Sequence, residues 1–395
     1  MLTSSESLRY TLLSLAATYV LDYFPNEDIR TRANAYYQRA VALLSDALSQ
    51  PEEQMIGGGD SLVGTIVVFI MHDTVTWEHR RPKSQVPRWL EGARLASRIL
   101  DATDPGYRYW HSPENVQSTT AYTSNTVLVA RAAILGLLMT PLDPIHTKGQ
   151  FGWLLHGIER NARKVHGGCG FSPKLLHIFA QITQLASQMA LEPSSVILPK
   201  GAEYIKSKLA NLRQWSELSP ETDGYASTEA LLDSCVLNEH GVIECPKKMT
   251  DLGAEAWRIA AQIYLQCRFF RLPRSHAEVM TNCRRLSECV RRMPCYGPLF
   301  TAQAPLFPVF LLGLVSVSEE DFGIARNWFE TVLSATSCRS SVPPVWDALK
   351  ILRIWVDGEI TDEPHIDMIP VGQRQPWWED IVAHATETVG TLCLM

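Results

Sequence analysis

The stretch from Asp251 to Leu272, DLGAEAWRIAAQIYLQCRFFRL, constrains the fold of this chain more than any other. Leu252, Glu255/Ala256, Ile259/Ala260, Ile263/Tyr264, Cys267 and Phe270/Arg271 recur at steps of three and four residues, the period of a helix with one apolar stripe. Ala254, Ala256, Ala260 and Ala261 are strong helix formers, small enough for a second helix to come close. Thr250 or Asp251 is a candidate amino-terminal cap, and Pro273 ends the run after Leu272. Such a helix carries no reactive pattern of its own. It needs other helices to cover it.

The same period predicts helices over 7–23, 29–48, 61–77, 89–100, 120–140, 151–165, 173–191, 200–216, 275–292, 305–317, 319–335 and 344–357. Asp60 and Ser318 with Asp321 are placed to cap two of them, and Pro173 and Pro343-Pro344 suit first turns. A short WWEDIVAHA segment near the end is a candidate final helix, and no run shows a convincing strand alternation. Residues 219–250, with Pro220, Gly224, Gly241 and Pro246, turn acidic and lose the period, as a variable loop does. The expectation is an all-α fold, a single large helical domain of about a dozen helices over 1–358. Residues 359–395 follow as a carboxy-terminal extension with a short helix.

Composition removes several function classes. With 36 basic and 42 acidic residues the net charge is −6, which argues against general nucleic-acid binding. Nine cysteines, an odd number with no C-x-x-C pair, read as free thiols in a reducing compartment. Thr3, Ser4, Ser5 and Glu6 do not make a secretory signal. The longest apolar run, Ala304 to Val317, is too short and too broken by proline and glycine to span a bilayer, so the expectation is a soluble intracellular chain without a membrane.

Chemistry-bearing motifs are thin. Gly57-Gly58-Gly59-Asp60-Ser61 precedes a helix but lacks the lysine of a phosphate loop. His166 with Cys169, His72 with His79, and Cys283, Cys289 and Cys295 at six-residue steps do not converge as metal ligands, since six residues along a helix is not one face. There is no G-x-S-x-G and no H-E-x-x-H. No catalytic residue, metal site or cofactor is therefore assigned, and the chain does not read as an enzyme. Arg268 to Arg292 holds seven arginines against Glu278 and Glu288, a candidate phosphate or acidic-partner surface, or else a solvated helix face.

Several blocks together resemble one family. GAEAWRIAAQIYLQCRFFRLPRSHAEV is similar to A-E-x-[YW]-R-x-A-A-x-I-Y-L followed by L-P-x-S-H-P-x-V in the fungal-specific transcription factor domain family, the regulatory region of fungal zinc-cluster transcription factors. APLFPVFLLGLVSVSEEDFGIARNWF resembles its L-F-P-x-F-x-x-G…E-E-D-R block, with Phe322 where a basic residue is common, and VPPVWDALKILRIW resembles its closing helix. Upstream, Trp89-Leu90-Glu91-Gly92-Ala93 resembles a W-x-x-H-L-x-G-A element without its histidine, and Gly170 to Ala186 a G-x-S-x-x-L-L…I-T-x-L-A helix.

The resemblance implies a nuclear transcription regulator whose helical domain binds other transcription regulators or a small-molecule effector, with a homodimer open. The C-x2-C-x6-C array that reads DNA in such proteins is missing from these residues, so DNA is expected to be reached only indirectly unless an upstream zinc cluster exists. Trp257, Tyr264, Phe269, Phe270, Phe307 and Phe310 are the candidate ligand groove, with plain core as the competing reading of the same rings. The alternative function is a helical small-molecule-binding protein or enzyme of a secondary-metabolite pathway on the same scaffold.

Overall fold

Helices follow one another along the chain much as the periodicity predicts. The structure, a computed structural model, describes residues 5–49, 59–76, 85–103, 120–149, 151–155, 158–218, 224–300, 305–334, 340–360 and 365–395. The Gly57–Asp60 loop and its aspartate cap, and the His79 of the histidine pair, lie outside the described side chains. Among the described residues there is no strand, only three isolated bridges, and the fold is all-α. The chain packs as two compact units, residues 1–133 with 151–154, and residues 134–150 with 155–395.

In the first unit, α1 (Glu6–Tyr23) and α2 (Glu27–Leu48) form a hairpin. Ser5 accepts from the Leu8 amide at one amino end, and Asn26 accepts from Asp28 and Ile29 at the other. Helices α3 (Gly59–Val75) and α4 (Arg88–Thr103) pack against each other, and α3 also meets α1. Buried His72 of α3 lies 3.3 Å from the Ser14 hydroxyl of α1 and tilts against the Tyr37 ring. Most of α5 (Thr120–Leu135) belongs to this unit and is almost wholly buried from Thr126 onward.

The second unit holds the remaining helices: α6 (Pro144–Thr147), α7 (Glu159–Ala162), α8 (Pro173–Leu191), α9 (Ile197–Asn211), α10 (Thr228–Asp233), α11 (Pro246–Tyr264), α12 (Ala277–Arg292), α13 (Leu306–Val315), α14 (Glu319–Ser334), α15 (Val342–Glu359) and α16 (Trp377–Thr388). Helix α11 is central and packs on α8, α9, α10, α12 and α13. Every residue of α13 is buried, and a methyl group on Gly313 would sit 2.6 Å from Leu349 of α15, so glycine permits that approach. The carbonyl end of α13 is closed by buried Arg353, which donates to the carbonyls of Gly313 and Ser316.

Four boundaries differ from the sequence expectation, each for a local reason. Helix α11 starts at Pro246 rather than at Thr250 or Asp251, because a proline at the first turn has the right φ and no amide to strand. Asp251 therefore lies inside the helix and caps nothing. The segment 151–165 is not one helix but a 3-10 turn at Gly152–Leu154 and the four-residue α7, following Phe151 in the left-handed region at φ 48. The predicted loop 219–250 contains α10. The predicted helix to Leu272 continues past Tyr264 as a π turn, Leu265–Phe269, and Arg271 turns the chain at φ 54.

That π turn aims Arg268 into the unit. Its side chain is fully buried and donates to both Glu379 carboxylate oxygens, to the carbonyls of Leu137, Leu138 and Thr140, and to the Tyr264 hydroxyl. Burial works against the guanidinium charge, but Tyr264 and Glu379 outweigh it and hold the pKa above the ordinary arginine value. Trp377 and Trp378 donate to the carbonyls of Leu272 and Leu138, and both rings are buried. Trp377, Trp378 and Glu379, within the 359–395 stretch that the sequence reads as an extension, thus bond into the second unit.

Candidate functional site

Two faces of α11 carry the residues that could bind something. The first holds the aromatic candidates. Trp257 lies 4.3 Å from the Phe171 ring and stacks on Phe307 at 5.7 Å, and Tyr264 meets Phe307 at 6.4 Å and Trp378 at 5.5 Å. Phe269 and Phe270 meet edge to face at 5.3 Å, and Phe310 sits in the buried α13. Trp257, Tyr264, Phe269, Phe307 and Phe310 have no exposed area, and Phe270 is 7% exposed. The structure brings Trp257, Tyr264 and Phe307 together as one cluster, with Phe171 and Phe179 completing it. None of the six lines the cavities described next.

The opposite face of α11 is polar. Asp251, Glu255, Arg258 and Gln262 recur at steps of three and four, so they form one stripe along the helix. They line a cavity of about 180 Å³ closed by Ala210 of α9 with Leu212, Arg213 and Gln214 after it, and by residues 225–231 around α10. A neighbouring cavity of about 360 Å³ runs between α9 and α12, and Ala210, Gln262 and Arg285 belong to both walls. Together they make a cleft along α11.

The frame of this cleft is built from matched pairs. Arg258, only 8% exposed, donates to Glu255 at 2.6 and 2.8 Å, to the Leu209 carbonyl at 2.8 Å and to the Thr228 hydroxyl at 3.3 Å. Burial opposes its charge, yet the hydrogen bonds and charge of Glu255 outweigh burial and raise its pKa. Arg285 donates to Glu229 at 2.7 Å, and Lys206 to Glu278 at 2.8 and 3.0 Å. Burial works against the Glu278 carboxylate, but Lys206 and Gln266 hold it below the ordinary range. Gln214 fixes the covering loop by donating to the Ala254 carbonyl at 2.7 Å while accepting from the Ser172 amide at 2.7 Å. Gly224, at φ +87, passes so close to the Gln214 carbonyl that a Cβ would lie 2.6 Å away.

Three groups around the cleft are less completely matched. Burial pushes the Asp251 carboxyl up, only partly offset by the Lys248 charge and the Tyr225 hydroxyl, and its Oδ2 is buried without a hydrogen bond. Gln262 makes no side-chain hydrogen bond among the described residues, and its Oε1 is buried. Arg213, exposed at the rim, has no side-chain partner among the described residues. The sequence reading missed this stripe because the apolar period of the same helix is stronger. Its own three-and-four spacing was the available signal.

The arginine-rich stretch is spent within the fold. Arg271 donates to the carbonyls of Gly372 and Arg374, Arg274 pairs with Asp357, Arg291 with Glu320, and Arg292 with Glu288. With Arg268 and Arg285 engaged as above, only exposed Arg284 has no described partner. A third cavity, about 500 Å³, lies between α12 and α14 beside Trp328, whose buried indole N–H has no hydrogen bond, while Arg291 and Glu320 on its wall are paired.

The described thiols are free. Those of Cys267, Cys283 and Cys289 are buried and pushed up by burial, Cys283 to about 12, so they are not nucleophiles at neutral pH. Among the described residues no group of three or more His, Cys, Asp or Glu is placed to hold a metal ion, and no helix is long and apolar enough to cross a membrane.

A family model described as the fungal specific transcription factor domain matches residues 1–384. Neither the curated proteins nor the solved structures include a match to this chain.

Proposed function

The chain belongs to the fungal specific transcription factor domain family, and with that premise we propose that it is a nuclear regulator whose helical domain responds to a small effector in the cleft along α11. Family membership makes it a fungal transcription regulator. The observation that supports an effector site is the cleft itself: two adjoining cavities share Ala210, Gln262 and Arg285, ion pairs frame them, and Arg213 stands exposed at the rim without a side-chain partner among the described residues.

In this reading the domain reaches DNA through a partner regulator. The arginines from Arg268 to Arg292 do not form a phosphate-binding surface, because ion pairs and carbonyls occupy six of the seven. In this reading the domain acts as a regulatory module rather than as an enzyme, which membership of a transcription factor domain family supports.

Deletion of the gene is expected to change a coherent set of transcripts, and restoring the chain to reverse the change. Unchanged transcripts with one accumulating metabolite would instead place the protein in a biosynthetic step, the secondary-metabolite reading.

A further inference from the structure

Helix α1 is inside out. Its buried positions are Leu8, Thr11, Ser14 and Thr18, three of them hydroxyl side chains. Those hydroxyls are matched where they lie. Thr11 donates to the Ser7 carbonyl at 2.8 Å, Thr18 donates to the Ser14 carbonyl at 3.0 Å, and Ser14 lies 3.3 Å from the His72 ring. The opposite side of the same helix is apolar and open to solvent. Leu13 and Val20 are 41% and 42% exposed, and Tyr23 and Phe24 are 74% and 71% exposed. A surface helix ordinarily turns its apolar stripe toward the core and its polar stripe to water. Here α2 and α3 hold the helix while its apolar stripe is left to water. Contiguous apolar surface of this kind marks a place where another molecule sits.

The spacing of the stripe says what shape that molecule has. Arg9, Leu13, Ala16, Val20 and Tyr23, all exposed, follow at steps of four, three, four and three, with Phe24 beside the last. A mean step of 3.5 is the repeat of a helix that lies along another helix, and Ala16 in the middle lets the second axis come close.

Two features say which helix. The stripe is its own complement when reversed. Turned end for end about Ala16 and Ala17, Leu13 falls opposite Val20, Ala16 opposite Ala17, and Arg9 opposite Phe24. A two-fold axis demands that self-complementarity of an interface. The charges choose the same direction. Glu6 and Arg9, 3.8 Å apart, are the exposed charged residues of α1, and both lie at its start. A parallel copy would set Arg9 against Arg9 and Glu6 against Glu6. An antiparallel copy sets each Arg9 over the Tyr23 and Phe24 rings of the other, to which a guanidinium is attracted.

We propose that this face pairs with the same face of a second copy of the chain, α1 lying antiparallel on α1 around a two-fold axis at Ala16 and Ala17. One helix face, roughly 27 Å by 10 Å, is smaller than the ~800 Å² a side of a standard interface. The dimer is therefore weak, with a dissociation constant on the order of 10 µM. The pairing does not depend on the cleft along α11, so failure of either reading leaves the other standing.

The test follows the purified 395-residue chain by sedimentation velocity and light scattering, from concentrations well below that constant to well above it. The wild type is expected to pass from monomer to dimer over the range. Leu13→Asp sets a carboxylate opposite Val20 and is expected to weaken association roughly tenfold or more, with the melting temperature at the dilute end unchanged. Val20→Lys is expected to do the same. The double variant Leu13→Asp with Val20→Lys sets each new carboxylate opposite a new ammonium in the antiparallel register, and is expected to recover much of the lost association. Parallel pairing would set like charges against each other and recover nothing. Should either charged variant fail to fold, Ala16→Arg, at an exposed position on the axis, supplies the loss instead. A wild type that stays monomeric throughout overturns the proposal and needs no variant. Association that survives unchanged in the folded single variants, or in folded Ala16→Arg, overturns it by placing the contact elsewhere. Loss in both single variants without recovery in the folded double variant overturns the antiparallel pairing.

Discussion

The two faces of α11 differ in how completely their polar atoms are used. On the aromatic face, the Tyr264 hydroxyl is bonded to Thr183 at 2.8 Å and to Arg268 at 2.7 Å, and the Arg268 guanidinium is saturated by carbonyls and Glu379. On the cleft face, Arg258 and Glu255 are saturated, but Asp251 and Gln262 one turn to either side are not. Both faces run along α11 and the π turn that continues it, so helix propensity does not explain the difference. A buried interior tolerates polar groups only when they are matched, whereas a binding surface must keep groups unmatched until its ligand arrives. In the proposed reading the same helix is a structural wall on one side and a receptive one on the other.

The largest expected effect breaks the aromatic face. Trp257→Ala removes a fully buried ring from between Phe171 and Phe307 and is expected to cost about 3–5 kcal/mol in urea unfolding. Arg268→Met strands Glu379 and four carbonyl or hydroxyl acceptors, and a loss of about 3 kcal/mol or more is expected by the same measurement. A small loss at either site would mean that this face is not the structural one.

Tyr264→Phe is a finer probe. It keeps the ring against Phe307 and removes only the hydroxyl that joins Thr183 to Arg268. The expected cost is about 1–3 kcal/mol, and a double-mutant comparison with Thr183→Val is expected to show the two losses overlapping.

The cleft face is expected to respond weakly. Arg285→Gln breaks a partly exposed pair with Glu229, worth about 0–1 kcal/mol and less at high salt. Asp251→Asn is expected to be neutral or to raise the melting temperature slightly. Its carboxyl is held above the ordinary range, so the folded state binds that proton more tightly than the unfolded chain does. Its contribution is therefore most favourable in acid and declines as pH rises from the ordinary carboxylate range through the folded value. Melting curves from acid to neutral pH are expected to show the variant gaining on the wild type as pH increases. A variant losing ground over that window would mean that Asp251 is a stabilising charge.

Much of the fold was legible in residue order, because three-and-four periodicity depends on each helix alone. The all-α class, the positions of α8 and α12, and the capping pair Ser318–Asp321 follow from local rules, and Ser318 does accept from the Asp321 amide at 3.1 Å. The start of α11 was less legible. Pro246 stands in a segment rich in turn residues, and only the packing of the next turn shows that it opens a helix. The role of residues 366–395 was hidden for a different reason. Arg268 meets Glu379 across 111 positions and Trp378 meets Leu138 across 240, and such pairings leave no periodic trace.

The candidate site was half legible. Asp251, Glu255, Arg258 and Gln262 show their spacing in the sequence, but only the structure separates the paired members from the unpaired ones. The aromatic candidates were conspicuous because large rings are conspicuous. Their burial against Phe171 and Phe179 turns on residues from α8 and the loop before it, far away along the chain.

In the proposed reading the cleft face of α11 regulates and its aromatic face only supports. It is tested most directly by replacing Asp251 with Asn and Gln262 with Leu together in the full chain, in its native host, and measuring transcript levels beside the melting temperature of the purified protein. The account predicts a protein as stable as the wild type whose regulated transcripts resemble those of the deletion strain. A stable double variant with wild-type transcripts would contradict it.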